Sequence, residues 1–113
     1  MKNILLVMLF IVGFSSSALS QDVYVKYRGT VNVSNGHFAH LVLKPSSFIK
    51  NMFYDKRNNY LLVQLKSTYY HYCAISESVI NDWKNSPSLG KYYNYNIKGN
   101  HDCRVYSAPK YYD

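Results

Sequence analysis

Acidic side chains are scarce in this chain. Six Asp and Glu stand against 13 Lys and Arg among 113 residues. They are Asp22, Asp55, Glu77, Asp82, Asp102 and Asp113, and no two sit where one could act as general acid and the other as base. Glu77 and Asp82, within one expected helix, do not share a face. Cysteine occurs only at Cys73 and Cys103, without CxxC spacing or a histidine at zinc-finger distance. His37 and His40 lack a third ligand, so no metal is expected. The five glycines never form GxGxxG or GxxxxGK[ST], which excludes the common phosphate-cradling loops. No basic run exceeds Lys56-Arg57, and no long basic amphipathic helix is present to lie in a membrane surface. His71 could pair with Ser67 or Cys73 as base and nucleophile, but nothing places such a set at a strained turn or helix terminus. The expectation is a non-enzymatic protein with no catalytic residues, no metal and no cofactor.

Long apolar runs are also missing, with one exception. Ile4 to Gly13 carries no charge, follows Lys2 and leads to Ala18-Leu19-Ser20. That pattern reads as a secretory signal peptide over residues 1–20, removed on export. It is too short for a comfortable membrane span, and no integral membrane segment is expected after its removal. Subtracting it leaves 113 − 20 = 93 residues and a charge of +7 − 1 = +6. Such a chain makes one domain with a thin core, expected in the periplasm or secreted. An even cysteine count in an exported chain favours a disulfide, here Cys73–Cys103.

Residues 22–33 alternate, with Val23, Val25 and Tyr27 on one side, and read as a strand interrupted at Gly29. Ser34-Asn35-Gly36 is a turn signal, and His37 to Leu43 a possible strand. The segments 50–55, 60–65 and 69–74 read as an antiparallel meander, with Tyr60 to Leu65 covered on both faces. Asp55, before a polar turn, is expected to bond local backbone N–H groups. Ser76 can cap a helix with Val79, Ile80 and Trp83 on one face, stopped by Asn85-Ser86-Pro87. Ser88 can cap a second, short helical segment presenting Leu89, Tyr92, Tyr93 and Ile97, in which Gly90 permits close packing or a bend. The predicted class is α+β: a small antiparallel sheet with one helix and a short second helical segment on one face. A single domain is expected over 22–104, with 105–113 a loose tail.

An ordered series of motifs carries a family resemblance. Ser46-Ser47-x-Ile49, Tyr54-Asp55, Tyr60-Leu61-Leu62-Val63, Tyr70-His71-Tyr72, Ser86-x-Ser88-x-Gly90 and Tyr93-Asn94-x-x-Ile97 resemble the KTSC domain over roughly 46–98. The leading Val25-Lys26-Tyr27-Arg28-Gly29-x-Val31 and the closing Asp102-Cys103-Arg104 resemble small exported bacterial members. Such members tend to carry four cysteines, and loss of one pair would leave Cys73–Cys103. The resemblance implies a small α+β domain and no established activity. It also brings a suggested RNA-binding role, by association with lysyl-tRNA synthetases, which export disfavours.

Thirteen tyrosines all lie beyond residue 20. Tyrosine joins apolar area to a hydroxyl at little entropic loss, which suits a binding face. It equally suits the half-wet core of a small domain. The candidate binding residues are Tyr70, Tyr72, Tyr92 and Tyr93, with Arg28 and Lys91 supplying charge. The expected role is interaction with a protein or cell-envelope component through this tyrosine-rich face. The alternatives are a single-stranded RNA or other nucleic-acid binding module, and a toxin-neutralising immunity or inhibitor protein.

Overall fold

The structure, a computed structural model, describes residues 21–112. The expected signal peptide lies outside them. Six strands form one sheet: β1 Asp22–Val25, β2 Gly29–Asn32, β3 Ala39–His40, β4 Ile49–Asp55, β5 Tyr60–Leu65 and β6 Thr68–Tyr72. Their order is β2-β1-β6-β5-β4-β3. Helix α1 spans Glu77–Lys84 and α2 spans Leu89–Tyr92, which runs on into a π-helical turn over Tyr93–Ile97. The α+β class therefore holds. The sheet is mostly antiparallel and curls.

The meander forms as the alternation implies. Tyr54 pairs Leu61 and Phe53 pairs Leu62 between β4 and β5; Leu61 pairs Tyr72 and Val63 pairs Tyr70 between β5 and β6. Because successive side chains point to opposite faces, β5 feeds two cores. Leu61 and Val63 join Ile49, Met52 and Tyr54 beneath the helices, against Ile80, Trp83, Leu89, Tyr93 and Ile97. Tyr60 and Leu62 join Phe53, Val23, Val25, Val31, Val33 and Cys73 on the other face.

The helices begin where serine placed them. Ser76 Oγ accepts from Val79 N at 3.4 Å and Ser88 Oγ from Lys91 N at 3.2 Å. Trp83 is fully buried, and its indole N–H donates to the carbonyl of Leu89 at 3.0 Å. That bond ties the end of α1 to the start of α2. A Cβ on Gly90 would stand 4.0 Å from Phe48 Cβ, an ordinary contact, so close packing does not require glycine there.

Three readings differ from the structure. Residues 22–33 are a hairpin, not one strand: Val23 pairs Val31, and Tyr27 (φ 72°) and Gly29 (φ 107°) turn the chain back. The sheet also gains a parallel contact, Val25 with Tyr69, that fastens this hairpin to β6. The third is the C-terminal segment, which has no regular element yet is pinned down. Ala108 and Tyr111 pack on the second core, and Arg28 Nη2 donates to the carbonyl of Pro109 at 2.6 Å.

Candidate functional site

Strand β6 carries the site because its outer edge is only partly covered. At one end Lys26 N donates to Tyr69 O at 2.9 Å, where β1 meets it. The chain then turns away at Tyr27. At the other end Cys73 N donates to His101 O at 3.0 Å. The disulfide Cys73–Cys103 (Cα–Cα 5.0 Å) holds that second segment in place, as the cysteine pair implied. Between the two contacts lies a groove of about 680 Å³, within the size range of ligand clefts. Tyr27, Tyr70, His71, Tyr72 and Tyr93 line it, together with Lys98 to Arg104 without Asn100.

The candidate residues are not all gathered here. Tyr70, Tyr72 and Tyr93 line the groove. The hydroxyls of Tyr72 and Tyr93 lie 2.8 Å apart, and burial followed by that bond pushes the Tyr72 phenol up, keeping it neutral. Tyr92 is elsewhere, stacked on Trp83 with ring centroids 6.1 Å apart. Lys91 is exposed on α2 and does not line the groove. Arg28 serves the opposite face of the sheet, and there it builds a network.

That network starts at the buried carboxylate Asp55, 1% exposed. Asn58 donates to it twice, from its main-chain N at 3.3 Å, the local backbone bond expected at this turn, and from Nδ2 at 2.7 Å. Tyr111 OH donates to it at 2.6 Å. Burial raises the Asp55 pKa, but the bonds from Asn58 and Tyr111 outweigh this and hold the carboxyl below its ordinary range. The Arg28 guanidinium lies 5.2 Å from the Tyr60 ring centroid and 5.5 Å from that of Tyr111. Arg28 Nη1 donates to Tyr60 OH at 2.9 Å. Tyr60 OH also shares a hydrogen bond with His71 Nδ1, 2.8 Å away, its direction set by the His71 tautomer. Burial, then the Arg28 charge, hold the His71 pKa below the usual histidine value, while burial pushes Tyr60 up to about 12. His71 thus joins the buried network on one side of β6 to the groove at its edge.

Charge around the groove is mainly positive. Lys98 and Arg104 line it, with Asp102 bound to Arg104 at 2.7 Å. Lys26 Nζ stands over the rings of Tyr27 and Tyr70, at 5.3 and 5.7 Å. Aromatic rings paired with cations can stack on and neutralise an anionic or aromatic ligand. Among the described residues no three His, Cys, Asp or Glu gather as a metal set, and no helix is long and apolar enough to cross a membrane.

The KTSC domain profile matches residues 45–101. The chain belongs to the KTSC domain family. No curated protein matches it. Within the KTSC stretch fall β4 to β6, both helices, and the groove residues Tyr70, His71, Tyr72, Tyr93, Lys98 and His101. Tyr27, Asp102, Cys103 and Arg104 lie outside it. The groove is therefore a joint between the KTSC domain and its flanking segments, closed by a disulfide with one cysteine in each. Sequence reasoning missed Tyr27, His101 and Arg104 as groove residues. The positive φ at a tyrosine leaves no mark in composition, and His101 is placed by backbone contact.

Proposed function

We propose that this KTSC protein is an exported, non-enzymatic binding module that holds a protein or cell-envelope component in the groove beside β6. The observation that carries the reading is the groove itself: three half-buried or buried tyrosines walled by Lys98 and Arg104, large enough for several side chains. A disulfide that shapes one wall supports export, because such bridges persist in oxidising compartments. The apolar run at Ile4 to Gly13 supports the same destination.

The test has two arms. Fractionation of the producing cell should recover the processed chain outside the cytoplasm, oxidised at Cys73–Cys103. Crosslinking on envelope fractions should capture a specific partner with the native chain and lose it with Tyr70→Ser. Capture that ignores the Tyr70 substitution removes the groove from the function. A second reading, single-stranded RNA, is favoured by the lysine held over Tyr27 and Tyr70. It requires an affinity that falls steeply with salt.

A further inference from the structure

The free edge of β6 narrows what the groove can hold. A two-residue turn joins Leu65 to Thr68, and pairs run from there as Gln64–Tyr69, Val63–Tyr70, Leu62–His71 and Leu61–Tyr72. Hydrogen-bonded and non-bonded pairs alternate in an antiparallel ladder. Tyr69 and Cys73 both turn their main-chain polar groups outward, to Lys26 and His101. His71, midway between them, must do the same. Among the described residues, no main-chain or side-chain group bonds its N–H or C=O on that side. An unpaired edge residue of this kind is a template for one residue of an added strand.

The slot is short. Its two closed ends are four residues apart along β6, about 13 Å at ~3.3 Å per residue. A strand running through the sheet plane would strike β1 at one end and the His101 segment at the other. A chain that stops inside the slot strikes only one. Three cations, Lys26, Lys98 and Arg104, against Asp102 alone favour a carboxylate over an ammonium. We propose that the groove binds the free C-terminus of an extended peptide, with one residue paired to the main chain of His71. Its side chains meet Tyr70 and Tyr72, and its carboxylate meets Lys98 and Arg104. This rests on the groove being the binding site.

The probe is a hexapeptide library randomised at its last three positions, prepared with free carboxylate and with carboxamide ends, and read by fluorescence anisotropy. Selected free-acid peptides should bind at least ten-fold tighter than their amides, and Lys98→Met with Arg104→Met should erase that difference. The His71 amide should shift in NMR spectra and exchange more slowly when peptide is bound. Equal binding of acid and amide, or a His71 amide that does not respond, overturns the proposal. So does a library with no binders while the native chain still captures a partner that Tyr70→Ser loses; the groove reading then stands without it. Capture unaffected by Tyr70→Ser overturns both.

Discussion

Replacing Tyr111 by Phe isolates a single bond between the C-terminal segment and the core. The ring remains, so its contacts with Phe38 (centroids 5.3 Å) and with the Arg28 guanidinium are kept. What goes is the O–H donated to Asp55 at 2.6 Å. A hydrogen bond to a charged group contributes about 1.5–3 kcal/mol. Asp55 keeps both donors from Asn58, so its charge is not left bare. At about 2 kcal/mol, a domain of this size should lose roughly 8–16 °C in Tm. Urea unfolding followed through the buried Trp83 reports the same loss as a lowered midpoint. The pH dependence carries the sharper check. The folded pKa of Asp55 is depressed, so its stabilisation is present above the unfolded value of about 3.9 and is lost as pH falls through the folded value. The gap between native chain and Tyr111→Phe should therefore be largest near neutrality and shrink below pH ~4. A midpoint unchanged at pH 7, or a gap that widens in acid, would refute the assignment of Tyr111 as a donor to ionised Asp55.

Other expectations follow from the same geometry. Breaking Cys73–Cys103 with paired serines opens a separation of 30 residues and should lower stability by roughly 3–4 kcal/mol, measured in urea. It should also abolish partner capture, because the His101 wall of the groove is freed. Arg28→Met should raise the His71 pKa, read by NMR titration, yet leave it below about 6.5 because burial is the larger cause. Since that folded pKa is depressed, His71 also makes the native chain lose stability as pH drops below about 6.5. Gly90→Ala should stabilise by about 0.5–1 kcal/mol, since α2 gains a better helix former and the new methyl meets only an ordinary contact at Phe48. A destabilised alanine variant in thermal unfolding would contradict that packing.

Much of the KTSC stretch is legible because its signals are local. Ser76 and Ser88 announce helix starts by side-chain chemistry that acts within three residues. The continuous apolar character of Tyr60 to Val63 announces a strand buried on both faces. The hairpin at residues 22–33 is hidden in the sequence for a physical reason. Val23, Val25, Val31 and Val33 are all odd-numbered, so the period is the same whether the chain continues or doubles back. The left-handed backbone at Tyr27 and Gly29 decides; Gly29 marks an interruption without saying that the chain reverses, and a tyrosine gives no warning. The groove inherits this ambiguity, since it exists because β1 departs from β6 at that turn.

The C-terminal segment is a different case, because its signal was present but incomplete. Asp55 closes a strand in which Met52, Phe53 and Tyr54 are all buried, so its carboxylate had to be taken out of water with them. A buried carboxylate needs more than one donor. Asn58 is within reach by sequence and supplies two. A donor still owed to Asp55 could be inferred from that local count. Its source could not, since Tyr111 lies 56 positions away and its segment has neither helical nor strand periodicity. Tertiary hydrogen bonding to a charge joins apolar packing in holding these last residues, with Arg28 clamping Pro109 and Tyr111 together. The cationic side chain assigned by sequence to a binding face is thus a structural clamp. The cations that do face the groove are Lys98, which ends the π-helical turn, and Arg104, next to the bridged Cys103.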